Sequence, residues 1–245
     1  MNINQSCMLV LCTTMSIANL SAQEVDTPVQ QVTIATMRDP QWMSYRDAYK
    51  ALRWHDDYKK DKNFVRVTFD LKPKDRQASL KDLRLELIGK TTRMELPLDE
   101  GLTTSIPDIK QAYEEDAEFR LNRQAGTFDF QYTGSIKLNP NGVYPLADLH
   151  QACDQLLNYL RDARLSIRLK TAGKKCIAVK FHYPESIAKP RLFYKNESGE
   201  MVAISLMKPL EKIPGNAVAF RFPEQQKNGE IIAGDLPLSI HVIYD

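Results

Sequence analysis

The densest cluster of polar and aromatic side chains in the sequence is Trp54-His55-Asp56-Asp57-Tyr58. A histidine beside carboxylates can bind a metal ion or transfer protons. Neighbouring residues on a helix point in different directions, so these side chains cannot converge by themselves. The pattern therefore favours the solvated end of an amphipathic helix.

A second candidate is Ile88-Gly89-Lys90-Thr91-Thr92, which resembles the end of a phosphate-binding loop. Such a loop needs a glycine five positions before Gly89, where Arg84 stands, and a helix after it. Met94 to Leu98 alternates as a strand instead. The segment is therefore predicted to be a hairpin turn.

The remaining reactive residues form no recognised catalytic, cofactor-binding or metal-binding pattern. The histidines His150, His182 and His241 are scattered, and no serine stands in a GxSxG setting. A non-enzymatic role without a cofactor is favoured. Paired catalytic carboxylates stay open as an alternative, because sequence does not show which carboxylates meet.

Two of the four cysteines, Cys153 and Cys176, lie well inside the chain, whereas Cys7 and Cys12 belong to its first residues. An even pair in an exported chain is most simply a disulfide. Two buried thiols are the alternative. The alternation of the following strand places Cys176 on the face of Ala178, Lys180 and His182, so a disulfide would put the helix of Cys153 against that face.

An aromatic stripe supplies a possible ligand surface. Its members, together with the neighbouring histidine, are Trp42, Tyr45, Tyr49, Trp54 and His55. The stripe could bind a glycan or a peptide, but an aromatic helix face is more often packed on a sheet.

Charge is balanced in sum, at a formal net charge of +2, so no global field indicates nucleic acid as a partner. It is uneven along the chain. Residues 95–118 hold eight acidic residues against Lys110, and residues 161–180 hold seven basic residues against Asp162. The acidic run could bind calcium and the basic run an anionic surface or an acidic partner, although solvated faces explain both.

The first 22 residues contain no Asp, Glu, Lys or Arg and end in Ser21-Ala22 before a polar segment. They are predicted to be a secretory signal peptide, with a buried N-terminal helix as the alternative. We therefore expect a periplasmic or secreted protein. The sequence predicts no membrane span.

Hydrophobic periodicity predicts the elements. Helical spacing covers Gln41–Lys60, with Asp39 as its N-cap, and Leu146–Leu160. A short strand is expected at Val32–Met37. Further alternating strands start at Val65, Leu83, Met94, Phe119, Phe128, Cys176, Leu192, Val202, Val218 and Leu238.

These elements predict a mostly β (α+β) fold. It consists of two small antiparallel β-sandwich, immunoglobulin-like units with an N-terminal helix and a connecting helix. The expected domains are a signal peptide (1–22), a polar N-terminus and amphipathic helix (23–62), sandwich unit 1 (63–141), a connecting helix and basic linker (142–172) and sandwich unit 2 (173–245).

The favoured function is that of an exported, non-enzymatic binding or scaffolding protein. Its expected partner is another envelope or extracellular protein or a glycan. Two immunoglobulin-like units after a signal peptide are similar in architecture to pilus-assembly chaperones, which would imply an edge strand offered to a client. A hydrolase of envelope polymers, with His55, His182, His241 or the acidic run in one cleft, is the other alternative.

Overall fold

The computed structural model describes residues 39–75, 77–204, 216–223 and 228–245. The predicted signal peptide, the polar segment up to residue 38 and the predicted strand Val32–Met37 lie outside the described residues, as does the end of the strand predicted from Val202.

The described residues form four helices and fourteen strands. The helices are α1 (Tyr45–Asp57), α2 (Lys110–Glu114), α3 (Leu146–Ala163) and α4 (Leu165–Lys170). The strands of the N-terminal half are β1 (Pro40–Ser44), β2 (Val65–Pro73), β3 (Leu85–Ile88), β4 (Arg93–Leu96), β5 (Thr103–Thr104), β6 (Glu118–Gln124) and β7 (Phe128–Ile136). The strands of the C-terminal half are β8 (Val143–Pro145), β9 (Cys176–Tyr183), β10 (Leu192–Lys195), β11 (Met201–Ala203), β12 (Asn216–Arg221), β13 (Glu230–Ala233) and β14 (Ser239–Tyr244).

All strands pair antiparallel, in three sheets. The central sheet has the order β12-β9-β14-β7-β2-β5, the first outer sheet β1-β6-β3-β4 and the second outer sheet β11-β10-β13-β8. The prediction of a mostly β, sandwich-like α+β fold with an N-terminal and a connecting helix is therefore confirmed.

Two hydrophobic clusters hold the sheets together. In one, Phe69 and Leu71 of β2 pack with the first outer sheet and α1. In the other, Val179 and Phe181 of β9 pack with α3 and the second outer sheet. Odd-numbered residues of β2 and β9 thus share the inner face, as the period-two alternation predicts.

One hydrophobic cluster and the central sheet both cross the predicted division near Asn141. Val65 and Ile136 from the N-terminal half join the cluster of the C-terminal half. The central sheet takes three strands from each half, and β7 and β14 meet through the pair Ile136 and Ile240. The domain limits themselves stay a prediction.

The start of the first helix differs from the prediction. Residues Pro40–Ser44 form β1 and pair with β6, and α1 begins only at Tyr45 with Ser44 as its N-cap. Asp39 is therefore not the cap. Proline is acceptable as the first residue of an edge strand, and the ladder to β6 outweighs the helical periodicity of five residues.

Cys153 and Cys176 lie at disulfide-forming distance, with their Cα atoms 6.0 Å apart. The predicted placement of α3 on the face of Lys180 and His182 was wrong. Tyr244 pairs with Cys176 but Ile243 with Ala178, so an extra β9 residue breaks the alternation. Such a bulge shifts Cys176 onto the face of Val179 and Phe181, where α3 packs.

Candidate binding surfaces

Some residues of the predicted aromatic ligand surface are buried in the core, and others are exposed. Tyr45 is fully buried, and its hydroxyl donates to the Pro107 carbonyl at 2.6 Å and accepts the Ile109 N–H at 2.9 Å. Tyr49 packs against Tyr113 at a ring distance of 4.8 Å and borders the same core. Tyr45 therefore belongs to the hydrophobic core.

The two tryptophans keep accessible surface but lie on different elements. Trp42 is 53% exposed on β1, which is an edge of the first outer sheet. Trp54 is 37% exposed near the end of α1. Because the helix begins only at Tyr45, Trp42 and Trp54 do not lie on the one helical face that the sequence predicted.

Trp54 belongs to an aromatic cluster that joins α1 to α3. The Tyr159 ring lies 4.8 Å from that of Trp54 and 5.0 Å from that of Tyr58. The Tyr58 hydroxyl donates to the Asp162 carboxylate at 3.0 Å. Burial and this carboxylate raise the pKa of Tyr58 to about 12, so the phenol stays a donor at neutral pH. The cluster fixes the two helices together.

The polar side chains of the same stretch point apart, as helix geometry requires. His55 Nδ1 lies 3.1 Å from the Tyr159 hydroxyl, whereas Asp56 pairs with Arg53 at 2.9 Å. Burial, assisted by Lys62, lowers the pKa of His55, so the imidazole is neutral at pH 7. Among the described residues, no group of three or more His, Cys, Asp or Glu side chains could hold a metal ion.

The glycine-containing loop is a hairpin turn, as predicted. Gly89 donates its N–H to the Thr92 carbonyl at 2.7 Å between β3 and β4. The Glu115 carboxylate accepts the N–H groups of Thr91 at 2.6 Å and Thr92 at 3.1 Å. These hydrogen bonds, led by that of the Thr92 hydroxyl, lower the pKa of Glu115. The backbone N–H groups of this turn are therefore already bound by a carboxylate of the chain itself.

The acidic residues on either side of Glu115 are engaged in ion pairs. Asp116 pairs with Arg46 at 2.6 Å, Glu118 with Arg120 at 3.0 Å and Glu114 with Lys110 at 3.2 Å. These are exposed or half-exposed pairs of small energetic weight. Their geometry fits a solvated face.

The histidines are divided between two surfaces. His182 and His241 lie on the face of the central sheet opposite α3, with their rings 5.2 Å apart. Burial, then His241 and Lys180, lowers the pKa of His182 to about 3. His55 instead contacts α3 through Tyr159. The three histidines therefore do not form one cleft.

Among the described residues, β11 is an exposed apolar strand at the edge of the second outer sheet. Met201 is 53% and Val202 50% exposed. Sequence alternation predicted a strand from Val202 but could not show that it lies at an edge, because edge position depends on how distant strands pair. The segment Glu200-Met201-Val202-Ala203-Ile204, apolar after its first residue, was the available signal.

A second exposed apolar surface is α4, where Leu165 and Leu169 extend into solvent. The basic run around α4 is visible in the sequence, whereas the exposure of these leucines depends on the tertiary structure. The described part of the chain contains no helix that is long and apolar enough to cross a bilayer.

No known family model, curated protein or solved structure matches this chain.

Proposed function

We propose that the protein is an exported, non-enzymatic binding protein that captures an extended segment of another envelope or extracellular protein along β11. The observation that carries the proposal is the exposed, apolar edge that β11 presents. Added strands are a general mode of peptide recognition, in which main-chain hydrogen bonds give affinity and side chains on alternate positions give specificity.

The ladder to β10 determines which groups of β11 face outward. Ile204 donates its N–H to the Leu192 carbonyl at 2.8 Å, and Asn196 donates its backbone N–H to the Glu200 carbonyl at 3.0 Å. Hydrogen-bonded pairs alternate with non-bonded pairs in an antiparallel ladder, so Val202 bonds to Tyr194. The N–H and C=O groups of Met201 and Ala203 therefore point away from β10 and can pair with an added strand.

Side chains beside this edge form an apolar row on the outer face of the sheet. Ala203 lies opposite Phe193, which in turn lies opposite Ile232 of β13. Phe193 and Ile232 are both half-buried, and Met201 is exposed beside them. A bound strand with apolar residues on alternate positions would cover this row, and each buried methylene would contribute about 0.8 kcal/mol.

The edge carries none of the residues that commonly interrupt such strands, and its short length of three residues is its protection. Exposed edges are usually interrupted by lysine, proline or a bulge, because unpaired backbone groups recruit other strands. No charged residue or proline occurs between Met201 and Ile204. An apolar edge without such residues carries an aggregation risk, which capture of a partner would explain.

Export agrees with these features. The uncharged first 22 residues support a signal peptide, and a disulfide between Cys153 and Cys176 would persist only in an oxidising compartment. An edge strand offered to a client is also what the chaperone-like alternative requires.

The test uses one position of β11. Ala203→Pro removes the outward N–H but leaves the inner hydrogen bonds of Val202 and Ile204 to β10 in place. Ala203→Ser keeps the N–H and serves as the matched control. Each tagged protein is expressed in its native host, cross-linked to its partners in the exported fraction and recovered.

We expect the same partner with wild-type protein and Ala203→Ser, and at least about tenfold less of it with Ala203→Pro, since a hydrogen bond is lost and the proline ring blocks the edge. Equal recovery with Ala203→Pro, at unchanged thermal stability, would contradict the proposal.

A further inference from the structure

The short helix α4 presents two leucines to solvent on one side. Leu165 is 68% and Leu169 72% exposed, and none of the residues of α4 is buried. Residues four apart share a helix face, so the two side chains project together. They form one apolar protrusion rather than two isolated exposed residues.

Hydrogen bonds fix the segment that carries these leucines, residues 161–175, which we call the α4 corner. The Arg161 guanidinium donates to the carbonyls of Thr171 and Lys174 at 2.6 Å each and to the Thr171 hydroxyl at 3.0 Å. Thr171 is fully buried, and the pair Cys153 and Cys176 brackets the whole segment. Folding Leu165 and Leu169 inward would break these contacts, so the leucines are kept exposed.

Basic residues lie on α4 and next to it in sequence. From residue 164 to residue 175 five residues are basic and none is acidic; Asp162 precedes the helix, and Asp245 pairs with Lys175 in the β-ladder. Asp162 is already paired with Lys60 at 2.8 Å and with Arg168 at 3.3 Å. Lys170 directly follows Leu169, and both Lys170 and Lys175 are exposed. An anionic surface that also accepts apolar groups complements this corner.

We infer that the α4 corner docks on the surface of an anionic lipid bilayer, with Leu165 and Leu169 inserted among the acyl chains and Lys170 and Lys175 at the headgroups. Apolar side chains ringed by cations are typical of segments that lie in a membrane interface. Protruding leucines need no matching groove in a bilayer, whereas a protein partner would have to supply one. This interaction is independent of strand capture by β11.

The expected contributions follow from burial and charge. Inserting both leucines should raise the partition coefficient roughly 30-fold over a variant that lacks them. Each cation near an anionic surface should contribute roughly fivefold at low salt. Neither the leucines nor the cations alone should give strong binding.

The test is sedimentation of the full protein with vesicles of phosphatidylcholine, with or without phosphatidylglycerol. The decisive variant is Leu165→Ser/Leu169→Ser. Leu236→Ser changes another exposed leucine, at 57% exposure, and is the matched control. Lys170→Gln/Lys175→Gln tests the charges, and circular dichroism checks that each variant folds.

We expect wild-type protein and Leu236→Ser to bind the phosphatidylglycerol vesicles alike, and binding to weaken as salt increases. The leucine pair variant should lose binding roughly 30-fold and the lysine pair variant roughly 25-fold. The inference is overturned if wild-type protein stays in solution. It is equally overturned if binding to the vesicles depends on the lysines but not on the leucines, which would indicate electrostatic adsorption to the headgroups without insertion.

Discussion

Reduction of the Cys153–Cys176 pair should destabilise the protein by a predictable amount. The cysteines are 23 residues apart in sequence. A cross-link of that span lowers the entropy of the unfolded chain by about 11 cal/mol/K, which corresponds to about 3.4 kcal/mol at 25 °C. At a typical urea dependence for a domain of this size, the unfolding midpoint should fall by roughly 1–2 M.

The assay compares oxidised and reduced protein in urea, followed by tryptophan fluorescence. Cys153 is fully buried, so the reduced sample is prepared in denaturant and refolded with reductant present. Peptide mapping without reductant should first show a peptide linked through Cys153 and Cys176. A Cys153→Ala/Cys176→Ala variant is the control, because reductant should leave its midpoint unchanged.

Two results would refute this reasoning. Alkylatable thiols at both positions in the purified protein would show that the bond does not form. An identical midpoint before and after reduction would show that the bond does not restrict the unfolded chain as the loop length requires.

Three further predictions concern single residues of the core and the central sheet. Because the pKa of His182 is about 3 when folded and 6.5 in a free side chain, the unfolded state binds more protons between these values. The contribution of His182 to the free energy of unfolding should be fully present above about pH 6.5 and should fall by up to about 1.4 kcal/mol per pH unit below it. Urea unfolding measured at a series of pH values should show a smaller dependence of the free energy of unfolding on pH for His182→Asn. Tyr45→Phe leaves the Ile109 N–H without its acceptor and should cost about 1–3 kcal/mol in urea unfolding; a cost near zero would contradict the buried hydrogen bond. A Cβ at Gly134 would lie 3.1 Å from Leu156 Cδ1, so Gly134→Val should lower stability by about 1–3 kcal/mol and Gly134→Ala by much less, whereas equal effects would argue against close packing of α3 on β7.

Local pattern was sufficient where neighbours in sequence decide the structure. Alternation over Val65–Leu71 predicted β2, and helical spacing from Leu146 predicted α3. The absence of a glycine at Arg84 correctly predicted a turn at Gly89. In each case the deciding residues lie within one element or one turn.

Pattern failed where distant pairing decides. Pro40–Ser44 continues the helical spacing but becomes a strand because β6 offers a ladder. One extra residue in β9 opposite Ile243 and Tyr244 reversed the predicted face of Cys176. Neither the pairing of β1 nor the extra residue in β9 can be recognised from the local sequence.

The binding surfaces were the hardest features to predict. The residue type marked Tyr45 as a candidate for ligand binding. Its hydroxyl is instead hydrogen-bonded inside the core, to a carbonyl more than 60 positions away in sequence. The exposure of Met201 and Leu169 depends equally on which elements leave them uncovered. Residue type therefore indicated candidates, and only the tertiary arrangement separated core from surface.

The most direct test of strand capture is amide hydrogen exchange on β11, in the free protein and in the complex recovered by cross-linking. The ladder to β10 should already protect the Val202 amide in the free protein, while the amides of Met201 and Ala203 exchange quickly. On binding, we expect strong new protection at Met201 and Ala203 and little change at Val202. Unchanged exchange at Met201 and Ala203, with protection near Trp42 or Trp54 instead, would contradict the proposal and place the partner on the aromatic surface.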